Sequence, residues 1–207
     1  GVNEFGVEEM STLFSDVNDA GFTGIINSED GGYFLAGYIL TTDQGYNCWV
    51  IKINQFFALE WSKNFGNTFN DGANAIIAFD DGIGITGYSQ TSLGNKDLYI
   101  VKMDYSGDIE WERTFGGEES DAGHTIISAE HNGMYILGET NFPDERDAEI
   151  WILELNSTGN LIDSIVFGGE GQQIGYSFAK SPDGSFAVGG ITRGSNSGVT
   201  DALAVKI

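Results

Sequence analysis

The chain has 207 residues, 9 Lys and Arg against 31 Asp and Glu, and a formal charge of −22. With 41% hydrophobic and 13% aromatic residues it has the means to build a core, which excludes a disordered acidic tail. The charge argues against nucleic acid or an anionic membrane as partner, and the single Cys48 excludes an internal disulfide or a thiolate zinc cluster. No apolar run approaches the length of a membrane span, and Gly1 opens without a basic, then apolar leader, so neither a span nor a signal peptide is expected.

Taken in chain order, the sequence repeats one unit four times. Residues 1–13 match the end of a unit, with Asn3, Phe5 and Met10 falling under Asn54, Phe56 and Trp61. Copies then start at Phe14, Phe65, Phe115 and Phe167, giving repeats over 14–64, 65–114, 115–166 and 167–207, the last completed by 1–13. Each copy carries an Ile-Ile pair or its equivalent, then a Gly-containing turn, a Gly-Tyr-type strand, and an apolar third run. The runs are rich in Val, Ile, Phe, Tyr and Trp and bounded by Gly, Asp, Asn and Ser, which reads as strands and turns; no helical periodicity stands out.

Four-stranded units of this length in series predict an all-β propeller of four blades, one domain over 1–207. Pairing of the N-terminal run (Gly6 to Phe14) with the C-terminal one (Asp201 to Ile207) would close the ring. The alternative is half of an eight-bladed ring, completed by a second chain or by flanking sequence; the two predict a monomer and a dimer respectively.

The segment Asp104-Tyr105-Ser106-Gly107-Asp108-Ile109-Glu110-Trp111 resembles the Asp-x-x-Gly-x-x-x-Trp blade ending of quinoprotein-like propellers. The whole chain is similar to bacterial and archaeal surface propeller repeats of the form Trp-x-x-x-Phe-Gly-Gly…Asp-Gly-Gly-Tyr…Gly-Tyr. The resemblance implies that Trp61 and Trp111 dock on the adjacent blade, and that the junctions carrying Met10 and Asp163 pack differently. It also implies a surface or secreted location. Quinoprotein enzymes have eight such blades against four repeats here, which argues against inheriting their chemistry.

Loops 15–20, 66–72, 116–122 and 168–174, with 40–47, 89–97, 140–149 and 192–201, are expected on one face. Asp71 and Asp121 occupy equivalent places there and Asp19 lies one position away, a set of oxygen donors that suits Ca²⁺; the bland reading is that each caps its own turn. Asp144, Glu145, Arg146 and Asp147 form a charged tip, and Tyr46 and Phe142 are loop aromatics; together they make a candidate docking surface for a protein or glycan partner. Lys52, Lys102 and Lys206 share one third-strand position and are expected to point into water, with Glu154 replacing them in the third copy. Cys48 reads as buried and inert, and His124 beside Asp121 is the one catalytic-looking pair.

The expectation from sequence is therefore a non-enzymatic binding or scaffold module, extracellular or at the cell surface, with no cofactor unless Ca²⁺ binds. The alternatives are a quinoprotein-like or carbohydrate-active propeller enzyme and a Ca²⁺-dependent adhesion module.

Overall fold

The computed structural model describes residues 11–14, 19–42, 45–92, 94–142, 145–194 and 199–207, with the side chains of 142 and 145–147 left aside. It is an all-β propeller of four antiparallel blades. Blade 1 holds β1 (Ala20–Asn27), β2 (Tyr33–Thr41), β3 (Gly45–Ile53) and β4 (Leu59–Phe65). Blade 2 holds β5 (Asp71–Phe79), β6 (Gly82–Ser92), β7 (Asn95–Met103) and β8 (Ile109–Phe115). Blade 3 holds β9 (Ala122–Ser128), β10 (Met134–Phe142), β11 (Glu145–Leu155) and β12 (Leu161–Phe167). Blade 4 shows three strands, β13 (Gln172–Lys180), β14 (Phe186–Arg193) and β15 (Thr200–Lys206). Within every blade the strands pair in sequence order, as a meander of hairpins demands.

Neighbouring blades bury their facing sides on one another at three junctions, and the β-strand alternation decides which residues do so. Phe34, Ala36, Cys48 and Val50 of blade 1 pack on Ile76, Ile83, Ile85 and Val101 of blade 2. Leu98 and Ile100 of blade 2 meet Ile126, Ile136 and Leu153 of blade 3. Tyr135, Leu137, Ile150 and Ile152 of blade 3 meet Phe178, Phe186 and Val188 of blade 4. The register aligns the next face of blade 4 with these sets, and there stand Ala187, Gly189, Ala202 and Ala204, all exposed. Blade 1 shows the matching edge. Ile25 is 58% exposed, whereas its equivalents Ile76, Ile126 and Phe178 are 8%, 5% and 8% exposed.

The predicted closing strand lies largely outside the described residues. What is described of it, 11–14, forms no ladder but sits where the outer strand of a preceding blade would end. Phe14 meets Trp49 edge-on at 5.7 Å, Phe65 meets the equivalent Tyr99 in a tilted pair at 6.5 Å, and the Thr12 hydroxyl donates to Phe57 O.

The expected tryptophan docking is present. Trp61 lies over Gly107, and Trp111 lies over Gly159 and donates its indole N–H to Ser157 O at 2.9 Å. Both glycines have positive φ (83° and 77°), and a Cβ on Gly159 would meet the Trp111 ring at 2.7 Å. Each tryptophan thus reads the third turn of the next blade.

Two expectations need correction. The connections at 40–47, 89–97 and 140–149 are not long loops: strands run through Thr41, Ser92 and Phe142 and resume at Gly45, Asn95 and Glu145. Their Thr, Asn and Ser residues extend the ladder instead of breaking it. Lys52 and Lys102 do not stand in water either, being 4% and 3% exposed. Lys52 pairs with Asp30 (2.8 Å) and Glu60 (3.1 Å), and Lys102 with Asp81 (2.8 Å) and Glu110 (3.0 Å). A buried ammonium needs such partners. Only Lys206, on the open face of blade 4, is exposed, with Asp183 at 2.8 Å. Glu154 accepts from the Tyr135 hydroxyl at 3.0 Å, and that hydroxyl also bonds Lys180 of blade 4. The cation has moved to the neighbouring blade.

Candidate functional site at the inner rim

One irregularity recurs in all four innermost strands. The pairing of β1 with β2 skips Thr23, that of β5 with β6 skips Asn74, that of β9 with β10 skips His124, and that of β13 with β14 skips Tyr176. A β-bulge inserts one residue and re-aims its side chain. Here the re-aimed side chains reach to the following blade. Thr23 donates to Ala73 O at 2.7 Å, Asn74 donates to Gly123 O at 2.7 Å, and the His124 ring stands edge-on to Tyr176 at 5.8 Å. Each target adjoins or is the next bulge residue, so the four form one polar rank along the inner rim.

The chemistry of the rank is concentrated between blades 3 and 4. His124 Nε2 lies 3.3 Å from Glu139 Oε2, with side chains 19% and 23% exposed. Glu139 holds the place that Tyr38 and Tyr88 hold in blades 1 and 2, next to the glycine of the second strand. Tyr176 is 51% exposed and leaves a solvent-open aromatic surface beside the pair. An imidazole at ion-pair distance from a carboxylate is a pairing that general bases use; here neither His124 Nε2 nor Glu139 Oε2 makes a hydrogen bond.

The sequence-predicted residues fall elsewhere. Asp71 and Asp121 are 0% and 1% exposed, and each carboxylate accepts the backbone N–H four residues earlier, Asn67 at 2.7 Å and Gly117 at 3.0 Å. Gln173, their equivalent in blade 4, does the same for Gly169 at 2.9 Å with a neutral amide. Burial pushes the carboxyl pKa of Asp71 and Asp121 up. Asp19 is exposed and receives the Tyr46 hydroxyl at 2.7 Å, so two residues assigned to different roles meet. Tyr46 in turn stands edge-on to Tyr38. Among the described residues, no group of three His, Cys, Asp or Glu side chains is placed to hold a metal. Asp144 lies outside the described residues; Glu145, Arg146, Asp147 and Phe142 are placed by backbone alone, in the β10–β11 hairpin where Phe142 pairs with Glu145. Cys48 is 1% exposed, and burial drives its thiol pKa up.

No protein-family model matches the chain, and no curated protein does. Solved structures do. A thermostable family-43 glycoside hydrolase aligns over 94% of this chain and 72% of its own, at 13% identity and a TM-score of 0.54. An endo-arabinase from Bacteroides thetaiotaomicron aligns over 91% and 76%, at 10% identity and 0.52. A candidate 6-phosphogluconolactonase from Bacteroides uniformis aligns over 92% of this chain and 59% of its own, at 13% identity and 0.50. At such identities the similarity establishes the propeller fold. The expectation of a non-enzymatic scaffold is corrected on the same finding: the three propellers named above carry the names of enzymes.

Proposed function

We propose that the chain is a carbohydrate-active hydrolase with its site at the inner rim of blades 3 and 4. The observation that carries this reading is His124 on its bulge, 3.3 Å from Glu139 and beside the open ring of Tyr176. His124 takes the proton of a water molecule whose oxygen adds to the lactone carbonyl carbon; the ring C–O bond then breaks and the imidazolium, with Glu139 beside it, returns the proton to the departing oxygen. Tyr176 offers a flat apolar face and a hydroxyl to a sugar ring. A His–carboxylate pair suits attack on an acyl carbon, so a sugar lactone is the first substrate class to test. The similarity to a protein named for lactonase activity supports it.

Glycosidic cleavage is the second reading, supported by the hydrolase and endo-arabinase similarities. It requires two carboxylates flanking the bond. Glu139 supplies one, and its charge is felt at Asp121, but Asp121 is 1% exposed and bonded to its own turn. The charge of −22 and the similarity of the repeat to surface propellers support action outside the cell.

The test is hydrolysis of a δ-lactone of a sugar acid and of an arabino-oligosaccharide, each against His124→Ala and Glu139→Gln. Lactone opening above the buffer rate, lost about 10²-fold or more in both variants, is expected. Oligosaccharide cleavage sensitive to Glu139→Gln but not to His124→Ala selects the second reading. Turnover of neither substrate, with the fold intact by circular dichroism, overturns the proposal.

A further inference from the structure

We infer a binding site for a hard divalent cation of the Ca²⁺ type at the junction of blades 2 and 3, built from Asp97, Asp121 and Asn95. Asp97 and Asn95 are two apart on β7 and so share a side of that strand. Asp121 immediately precedes β9. Their common neighbour is the loop at Gly116 and Gly117. A Cβ on Gly116 would lie 2.4 Å from Asp97 Oδ1 and 2.6 Å from Asp121 Oδ2, so both carboxylates border a cradle that only glycine leaves free. The Asn95 amide nitrogen donates to Gly117 O at 3.1 Å, so this side chain is anchored on the same loop.

The independent observation is the state of the side-chain oxygens. Asp97 Oδ1, Asp121 Oδ1 and Asn95 Oδ1 are all buried and none receives a hydrogen bond, whereas Asp121 Oδ2, the oxygen beside Gly116, accepts the Gly117 N–H at 3.0 Å. Asp121 as a whole is 1% exposed. Buried acceptors are normally matched by donors, and both carboxylates border Gly116, where a cation would offset their like charge. An all-oxygen set of two carboxylates and an amide is the donor chemistry of Ca²⁺.

The repeat itself supplies the contrast. At the two positions concerned, blade 1 to 2 has Asn47 with Asp71, and blade 3 to 4 has Glu149 with Gln173. Each of those junctions carries one acid, and Asp71 Oδ1 is likewise buried without a hydrogen bond, so the difference is one of charge. Among the described junctions, that of blades 2 and 3 carries two acids, Asp97 with Asp121. The site is independent of the hydrolase reading and shares with the sequence-predicted set only Asp121.

The experiment uses the full chain, stripped with chelator and dialysed, at pH 7.5. Terbium luminescence and calorimetric titration with CaCl₂ measure binding directly; thermal melting measures its effect. With Ca²⁺ about 100-fold above its dissociation constant, Tm is expected to rise by roughly 5–10 °C. Asp97→Asn, which recreates the pairing of blades 1 and 2, is expected to abolish both the titration signal and the shift while melting no lower than the stripped wild type. Asp71→Asn is expected to leave the titration unchanged. No binding at 10 mM Ca²⁺, or an equal response from Asp97→Asn and wild type, overturns the site. A stripped wild type that ignores Ca²⁺ but is stabilised by acid more than Asp97→Asn also overturns it, showing a shared proton instead.

Discussion

The three internal junctions and the open edges of blades 4 and 1 are built from one repeat with different outcomes. Where blade meets blade, the second and third strands present Phe34, Val50, Ile100, Leu137, Ile150 or Ile152, all buried. On the outer side of blade 4 the same positions are Ala187, Gly189, Ala202 and Ala204, all exposed. Burial of apolar area is what makes a stacked sheet stable. The difference shows that the sequence has tuned side-chain volume face by face, while strand pairing stayed the same. The fourth sheet is as regular as the others, yet has little to offer a neighbour.

The comparison breaks if equivalent positions respond alike. The largest effect is expected for Ile100→Ala, a fully buried residue at the blade 2–3 junction, at about 3 kcal/mol by urea unfolding. The equivalent Ala204→Val should stay within about 0.5 kcal/mol. Similar losses for both would erase the distinction. Two adjacent glycines in blade 4 sharpen it further. A Cβ on Gly190 would lie 1.9 Å from Ile174 O, so Gly190→Ala is expected to cost about 2–3 kcal/mol. A Cβ on Gly189 meets nothing within 4 Å, so Gly189→Ala should be neutral or stabilising by about 0.5 kcal/mol.

Next in size is Trp111→Ala, expected to cost about 2 kcal/mol through loss of its stacking on Gly159 and its bond to Ser157 O.

The smallest effect is the pH profile. Asp71, Asp97 and Asp121 have carboxyl pKa values raised by burial, so their contribution is present at low pH and is lost as pH rises through those raised values. Asp30, bonded to Lys52, and Asp183, bonded to Lys206, are lowered from 3.8 to about 2, so theirs is present above 3.8 and lost toward 2. Without added cation, Tm should therefore rise as pH falls from neutral through the raised carboxyl range of the junction aspartates, then drop as pH falls from 3.8 toward about 2. A Tm that falls steadily from neutral pH downward would contradict the assignment of the junction aspartates.

The architecture was legible because the same landmarks recur at a fixed spacing: Phe14, Phe65, Phe115 and Phe167 mark the copies, and Gly37, Gly87, Gly138 and Gly190 mark one structural position. The functional rank was not, because a bulge adds one residue to a strand without leaving a turn signal. A trace was available. Thr23, Asn74, His124 and Tyr176 precede the paired apolar residues at one offset, a column of polar or aromatic residues inside otherwise apolar strands. His124 was noticed, but as a neighbour of Asp121 in sequence; folding turns it to Glu139, fifteen residues on, across the β9–β10 hairpin. The buried lysines were missed for a related reason. Alternation tells which face a residue takes, but Asp30, Glu60, Asp81 and Glu110 come from turns and a neighbouring strand, and those make burial of the ammonium tolerable.

The four tryptophans, Trp49, Trp61, Trp111 and Trp151, all belong to the first three blades. Indole emission is consequently blind to the fourth. A melt followed by tryptophan fluorescence reports the stacked part of the molecule, while far-ultraviolet dichroism averages over every sheet. If blade 4 frays before the rest, the two curves separate, and native fluorescence alone would overstate the heat tolerance of the whole chain.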